Sequence, residues 1–260
     1  MTFRFRERTR INVLILLLGA TAWVVLLVNL GGATALAHCP VTDSGASLAS
    51  LRMLLAMNPV SSLAAGWALM LVAMMAPTLL SPIHHVRERS FKRRRVRSVL
   101  LFVAGYAAVW MAAGVVLTAA LLALSLLAPR SYLPAVAVGV IAFVWQCSPV
   151  KQRCLNRGHN HSELAAFGRA ADLDALRFGL THGLWCVGSC WALMLLPMLL
   201  QRGHLAAMAV VTVLMIGERL ERPRPLGWRL RYPGKLLRIL LARTRLRLQR
   251  LPSDVRPSLQ

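Results

Sequence analysis

A ladder of imidazole, thiol and thioether side chains runs through one apolar stretch, which reads THGLWCVGSCWALMLLPM. Its members recur at every fourth position and are His182, Cys186, Cys190, Met194 and Met198. On a helix with 3.6 residues per turn, a step of four drifts by only about 40°, so any three consecutive members share one face. Thiolates and thioethers suit Cu(I), and imidazole is also a good copper ligand. The spacing therefore predicts a helix that binds a soft metal.

Similar side chains occur in two other apolar segments. Met70, Met74 and Met75 precede Pro77, and two further thiols follow the segment that ends near residue 150. A methionine in an apolar helix is often only a flexible packing residue, so packing is the alternative for these three. If the segments are neighbours, however, their side chains form one track through the bundle. The predicted metal ligands are then Met70, Met74, Met75, Cys147, Cys154, His182, Cys186, Cys190 and Met194.

Composition indicates that these segments lie in a membrane. Hydrophobic residues make up 57% of the 260 residues, and the mean hydropathy is +0.58. The chain carries 31 Lys and Arg against 9 Asp and Glu, for a formal net charge of +22. The basic residues fall between long apolar runs, as in a membrane protein, rather than over a folded surface that binds nucleic acid. We therefore expect the lipid bilayer, and no nucleic acid, as a partner.

Six apolar segments are long or apolar enough to be read as membrane spans. Loops on one side of the predicted membrane hold 28 of the Lys and Arg residues, and loops on the other side hold 3. The positive-inside rule then predicts an all-α, polytopic six-helix bundle with both termini in the cytoplasm. The predicted spans are Ile11–Leu30, Val60–Leu80, Val99–Leu127, Pro134–Val150, Phe178–Leu200 and Leu205–Gly217.

Two features near the ends of the chain bear on its organisation. The sequence Ala35-Leu36-Ala37 resembles a signal-peptidase site, but the preceding apolar run exceeds the length typical of a signal, which favours a retained first helix. We assign residues 1–220 to a membrane domain and residues 221–260 to a basic cytoplasmic tail. Leucine and arginine alternate in residues 234–251, which predicts an interfacial helix that binds anionic lipid, with a disordered tail as the alternative.

Four stretches of the chain follow a known pattern. They read MLVAMMAP at residues 70–77, GYAAVW at 105–110, WQCSPVKQRCL at 145–155 and GLTHGLWCVGSCWALM at 179–194. In these stretches the chain resembles a bacterial family of predicted metal-binding integral membrane proteins, formerly catalogued as a domain of unknown function. The likeness covers most of residues 60–220, and its last stretch is the most specific.

The resemblance implies a membrane copper chaperone, a role suggested for a member that supplies copper to a polyphenol oxidase. It implies a protein of the bacterial inner membrane, without enzymatic activity, that delivers Cu(I) to an extracytoplasmic or membrane cuproenzyme. The family often has Cys-Cys where this chain has Ser189-Cys190, and a further Cys where this chain has Gly158 and His159. Carried over by position, the ligands are Met74, Met75, Cys154, His182, Cys186 and Cys190.

Three other functions fit the residues. The first is a transporter or channel for a metal or a small solute, and the second is a membrane redox protein with His182 and a second histidine as haem ligands. The third is a scaffold in which the sulfur side chains only pack. The chain contains no phosphate-binding loop or phosphorylation motif, which argues against active pumping.

Overall fold

A computed structural model of the protein describes residues 2–28, 60–127, 133–160, 162–165, 167–200 and 203–230, with short pieces at 234–235, 238–239 and 241–243. All regular structure within these residues is helical, as the sequence predicts. The possible cleavage site and most of the tail helix lie outside the described residues. The helices are α1 Thr2–Val28, α2 Val60–Met75, a 3₁₀ turn Ala76–Leu79, α3 Leu80–Arg89, α4 Arg95–Leu127, α5 Leu133–Cys147, α6 Pro149–Gly158, α7 Gly168–Leu199 and α8 His204–Leu220.

Four helical segments are long and apolar enough to cross a membrane. They are Arg6–Val28, Ser61–Arg89, Arg95–Leu121 and Gly168–Met198. The helices α5 and α8 are shorter, and α8 has 17 residues, so a crossing by these two, and with it the location of the termini, stays a prediction. Apolar side chains along α1 are widely exposed, which suits contact with lipid tails.

Several helices extend beyond the apolar segments because ion pairs join their ends. The helix α7 begins ten residues before the predicted span, and Asp172 in this extension pairs with Arg94 and Arg97, each at 2.7 Å. Glu7 of α1 similarly pairs with Arg87 at 2.5 Å and with Arg95 at 3.2 Å. These pairs hold the charged ends of α1, α3, α4 and α7 together.

The helix α6 occupies a segment that the sequence suggested was a hydrophilic loop. Ser148 caps it, since its Oγ accepts a hydrogen bond from the Lys151 backbone N at 3.2 Å, and Pro149 occupies the first turn. Serine at the N-cap and proline at the first helical position are both strong start signals. Hydropathy alone predicts a hydrophilic loop over residues 151–177, and this prediction is wrong for residues 151–158, because hydropathy does not register the capping signals.

Three glycines allow α4 and α7 to approach closely. A Cβ atom at Gly105 of α4 would lie 2.7 Å from the Leu176 carbonyl oxygen, and one at Gly183 of α7 would lie 3.1 Å from the Val109 Cβ. A Cβ at Gly179 would overlap the backbone of Phe102. Glycines spaced by four on one helix are a common means of bringing two membrane helices together. This glycine seam, formed by Gly105, Gly179 and Gly183, sets the distance between α4 and α7.

The helices α7 and α8 form a short-linked pair. Gly203 has a φ of +85°, a left-handed conformation that favours glycine, and it directly precedes α8. The ring Nδ1 of His204 donates to the Pro197 carbonyl oxygen at 2.7 Å. The connection therefore fixes the ends of α7 and α8 beside each other.

Candidate metal centre

The largest hydrophobic cluster among the described residues contains two thiols and six thioethers. Five helices contribute to this cluster, and it also includes the buried side chains of Tyr106 and Trp110 from α4. We call its eight sulfur side chains the sulfur core. They are Met70, Met74 and Met75 of α2, Cys186, Cys190 and Met194 of α7, and Met208 and Met215 of α8.

The sulfur core brings together six of the nine predicted ligands. The thiols of Cys186 and Cys190 are 1% and 2% exposed, and Met194 beside them is fully buried. These three are consecutive members of the ladder and share one face of α7. Met74 is also fully buried, so the methionines before Pro77 point into the bundle and not toward lipid.

The thiol pair lies among hydrogen-bonding groups from two helices. The Tyr106 hydroxyl is 3.2 Å from the Cys186 Sγ, and the two thiols are close enough to form a hydrogen bond with each other. The Ser189 Oγ donates to the Cys186 carbonyl oxygen at 2.9 Å and lies 3.3 Å from the Cys190 Sγ. Both sulfur atoms are therefore held in fixed surroundings rather than in loose apolar packing.

Two further buried donors interact electrostatically with the same sulfur atoms. Among the described residues, the Trp110 Nε1 and the Arg219 Nε are buried and have no nitrogen or oxygen partner. The Trp110 side chain instead interacts with the Cys186 sulfur, and the Arg219 side chain with the Cys190 sulfur. Donors that converge on sulfur stabilise a thiolate more than a thiol, and an arginine remains charged at any relevant pH. The two thiols therefore lie among polar and charged groups from α4 and α8.

The donor set limits which metal fits. Within the part of the chain that the structure describes, no three His, Cys, Asp or Glu side chains are grouped as metal ligands. A structural zinc site needs four such ligands, so the site does not resemble one. The other sulfur side chains in the same cluster are thioethers, and thiolate and thioether together suit Cu(I).

Met198, the last member of the ladder, faces elsewhere. It packs beside a separate buried cluster formed by Leu117, Val138 and Leu195. Four steps of about 40° turn the ladder by about 160° between its first and last members, so Met198 leaves the face that carries the thiols.

His182, at the other end of the ladder, lies among aromatic rings. The centroid of its ring is 5.8 Å from that of Phe178, 6.0 Å from that of Phe102 and 6.1 Å from that of Tyr106. It is buried, one turn before Cys186, and its role as a ligand stays a prediction.

The other two predicted thiols lie outside the sulfur core. Cys154 of α6 is buried, and its Sγ would be 2.7 Å from a Cβ atom at Gly188, so that glycine makes room for the thiol against α7. Burial raises the pKa of the Cys154 thiol, although Arg153 and Arg157 oppose this effect. Cys147 is half-buried at the end of α5. The two thiols are placed where a path from the helix ends to the thiol pair would begin.

A buried ion pair joins α6 to α8 beside these thiols. The Lys151 Nζ is 2.8 Å and 2.9 Å from the two carboxylate oxygens of Glu218, and both side chains are at most 5% exposed. The Gln146 side chain bridges them, since it donates to Glu218 and accepts from Lys151. From its place directly after the last predicted span, Glu218 is expected to be a charge at a helix end or interface, but the structure buries it. The sequence does contain a signal for this buried pair, because an acidic residue at the end of an apolar run needs a cationic partner.

Comparison with known proteins agrees with this site. A family model described as PpoB2, copper chaperone, matches residues 64–237, about two thirds of the chain. The match includes every residue of the sulfur core, the glycine seam and the Lys151–Glu218 pair. No curated protein and no solved structure matches the chain.

Proposed function

Since this chain belongs to the PpoB2 copper chaperone family, we propose that it is a multi-pass inner-membrane protein that holds Cu(I) in the sulfur core and delivers it to a cuproenzyme. In this proposal the protein does not catalyse a reaction, and copper is its cargo. The client is an extracytoplasmic or membrane protein that requires copper.

One observation carries the proposal. Two thiols and the thioethers predicted to accompany them occupy one buried cluster, and the Tyr106 hydroxyl is hydrogen-bonded to the Cys186 thiol. Packing alone explains buried methionines. It does not explain why Tyr106 and Trp110 of α4 and Arg219 of α8 all interact with the thiol pair. We assign these two residues as the main Cu(I) ligands, with Met70, Met74, Met75 and Met194 as thioether donors. His182, Cys154 and Cys147 are proposed as an approach to them.

The chemistry of binding and release follows from the donor types. Thiolates bind Cu(I) tightly but must lose their protons first, so loading the thiol pair releases protons. Thioethers bind without losing a proton and bind less tightly. A Cu(I) ion between two thiolates has one net negative charge, which the guanidinium of Arg219 offsets. Copper held in this way suits a buried site, where an uncompensated charge is costly.

The first experiment measures Cu(I) binding by the purified protein without oxygen, in competition with a chromogenic Cu(I) chelator. We expect wild type to retain Cu(I) against the chelator and Cys186→Ser/Cys190→Ser to lose it. Cys147→Ser is the control, since that thiol is outside the sulfur core, and it should retain wild-type binding. Equal retention by wild type and by the double variant would contradict the assignment of the thiol pair.

A second experiment separates delivery from transport. Protein in sealed vesicles is loaded with Cu(I) and then offered a copper-free acceptor protein on the outside. A chaperone transfers copper to the acceptor and does not move it into the vesicle lumen. Accumulation of Cu(I) in the lumen without any partner protein would instead indicate a transporter.

A further inference from the structure

Two methionines of α8 belong to the sulfur core although no prediction included them. Met208 is fully buried and Met215 is 1% exposed. They are seven residues apart, which is close to two helical turns, so both point from the same face of α8. They contribute to the same cluster as Cys186, Cys190 and Met194.

Because the connection between α7 and α8 is short, the height of each side chain along the two helices can be counted from that connection. At 1.5 Å per residue, Met208 lies about 6 Å from the start of α8, and Met194 lies about 7.5 Å from the end of α7. Counted from the same connection, Cys190 lies at about 13.5 Å and Cys186 at about 19.5 Å along α7. Met215 lies at about 16.5 Å along α8, and so at a height between the two thiols. Because His204 is bonded to Pro197, this register is fixed at the turn.

We infer that α8 supplies two additional Cu(I) ligands: Met215 as a thioether beside the thiol pair, and Met208 as the partner of Met194 nearer the α7–α8 connection. This inference rests on the proposed function. Copper would leave the thiol pair by ligand exchange. Bonds from Cu(I) to the thiolate sulfurs break, bonds to the Met194 and Met208 sulfurs form, and each freed thiolate takes up a proton. Copper remains Cu(I) throughout, so no oxidant or reductant is required.

The surroundings on α8 are suited to this role. The buried face of the helix between the two methionines carries Val211 and Thr212, and the Thr212 Oγ1 donates to the Met208 carbonyl oxygen at 2.7 Å. The hydroxyl hydrogen is thus used within the helix and does not compete for the thioethers. Arg219, one turn beyond Met215, interacts with Cys190 and so places this end of α8 at the thiol pair.

The test replaces both thioethers with side chains of similar volume. In Met208→Leu/Met215→Leu the apolar packing is retained, since exchange of Met for Leu conserves volume and is among the best tolerated core substitutions. The matched control is Met198→Leu, which makes the same exchange on α7 in a different cluster. The two single variants are measured as well, so that the comparison does not depend on the fold of the double variant.

We measure Cu(I) affinity by chelator competition and the number of sulfur neighbours by X-ray absorption of the copper-loaded protein. The double variant should bind Cu(I) at least about tenfold more weakly, since even the loss of a residue that only supports a ligand costs ten- to a hundredfold. It should also show fewer sulfur neighbours, whereas Met198→Leu should match wild type in both measurements.

The possible failures are distinguishable. If wild type and the double variant have the same affinity and the same number of sulfur neighbours, the methionines of α8 only pack, and the inference is overturned while the proposed function stands. The same conclusion follows if Met198→Leu weakens binding as much as the double variant. If wild type itself does not retain Cu(I), the proposed function fails.

Discussion

Breaking the buried Lys151–Glu218 pair tests whether the fold holds α8 against α6 as the structure indicates. In Lys151→Met the Glu218 carboxylate loses the ammonium that lies within 3 Å of both its oxygens, and it keeps only Gln146 as a partner. Removing one partner of a buried ion pair typically costs about 3–5 kcal/mol, because an uncompensated charge remains inside the protein. For a domain of about this size, each kcal/mol lowers Tm by about 2–4 °C, so we expect a decrease of about 6–20 °C.

The double variant Lys151→Met/Glu218→Met should recover much of this loss. Two apolar side chains of suitable volume often replace a buried ion pair without cost. The remaining cost arises from the Gln146 amide, which loses its hydrogen bonds to Lys151 and Glu218, and this loss leaves about 1–3 kcal/mol unrecovered. The double variant is thus expected to unfold between wild type and the single variant, which is the opposite of additive behaviour.

Thermal unfolding of the detergent-solubilised protein, followed by far-UV circular dichroism, measures these differences. The control is Glu88→Gln, since Glu88 and Arg8 are 3.9 Å apart and their side chains are 65% and 61% exposed. An exposed pair of this kind contributes less than about 1 kcal/mol. A loss in Lys151→Met no larger than in the control, or a double variant less stable than the single one, would refute the reasoning.

Two further predictions concern the surroundings of the thiols. Gly179→Ala should push α7 away from the Phe102 backbone and lower the free energy of unfolding by about 1–3 kcal/mol, which a decrease in Tm would show. It should also separate Tyr106 from Cys186 and so weaken Cu(I) binding, as measured by chelator competition. The control is Gly139→Ala, where nothing lies within 4 Å of the new Cβ, and an equal effect there would rule out the close approach as the cause. Burial raises the pKa of the Cys154 thiol, so its thiolate fraction at neutral pH is reduced. Maleimide should therefore label Cys154 more slowly than Cys147, and the rate of labelling should increase as the pH rises toward the pKa of Cys154. Mass spectrometry of labelled peptides measures both rates, and equally fast labelling of the two cysteines at neutral pH would contradict this expectation.

The sequence was sufficient to predict that the chain is all-helical and that the thiols share one face, because both depend on periodicity. Apolar runs define the helical segments, and positions spaced by four define Cys186, Cys190 and Met194 as one face of α7. The ends of the helices were less predictable. The extension of α7 to Gly168 depends on Asp172 pairing with Arg94 and Arg97, residues more than seventy positions away. Hydropathy cannot anticipate a contact of that kind.

The membership of the sulfur core was only partly predictable for a similar reason. A spacing of four makes His182 and Met198 equal members of the ladder, yet the accumulated drift turns them toward different neighbours. A spacing of seven places Met208 and Met215 on one face of a helix, but nothing in the sequence indicates which helix that face contacts. That depends on the turn at Gly203 and on the bond between His204 and Pro197, which set the register of α8 against α7.

Each of the four family-like stretches has a geometric role that composition alone does not reveal. The stretch at 70–77 places thioethers on α2, and the stretch at 105–110 supplies Gly105 for the close approach and Tyr106 and Trp110 as donors to sulfur. The stretch at 145–155 supplies the cap and the lysine that hold α6 against α8, and the stretch at 179–194 supplies the remaining glycines and the thiols. The thiol pair is therefore held from three sides, by a glycine seam, a buried ion pair and a fixed turn. Three such constraints on the position of two sulfur atoms support the proposed metal site, because a metal requires ligands that are held in a defined geometry.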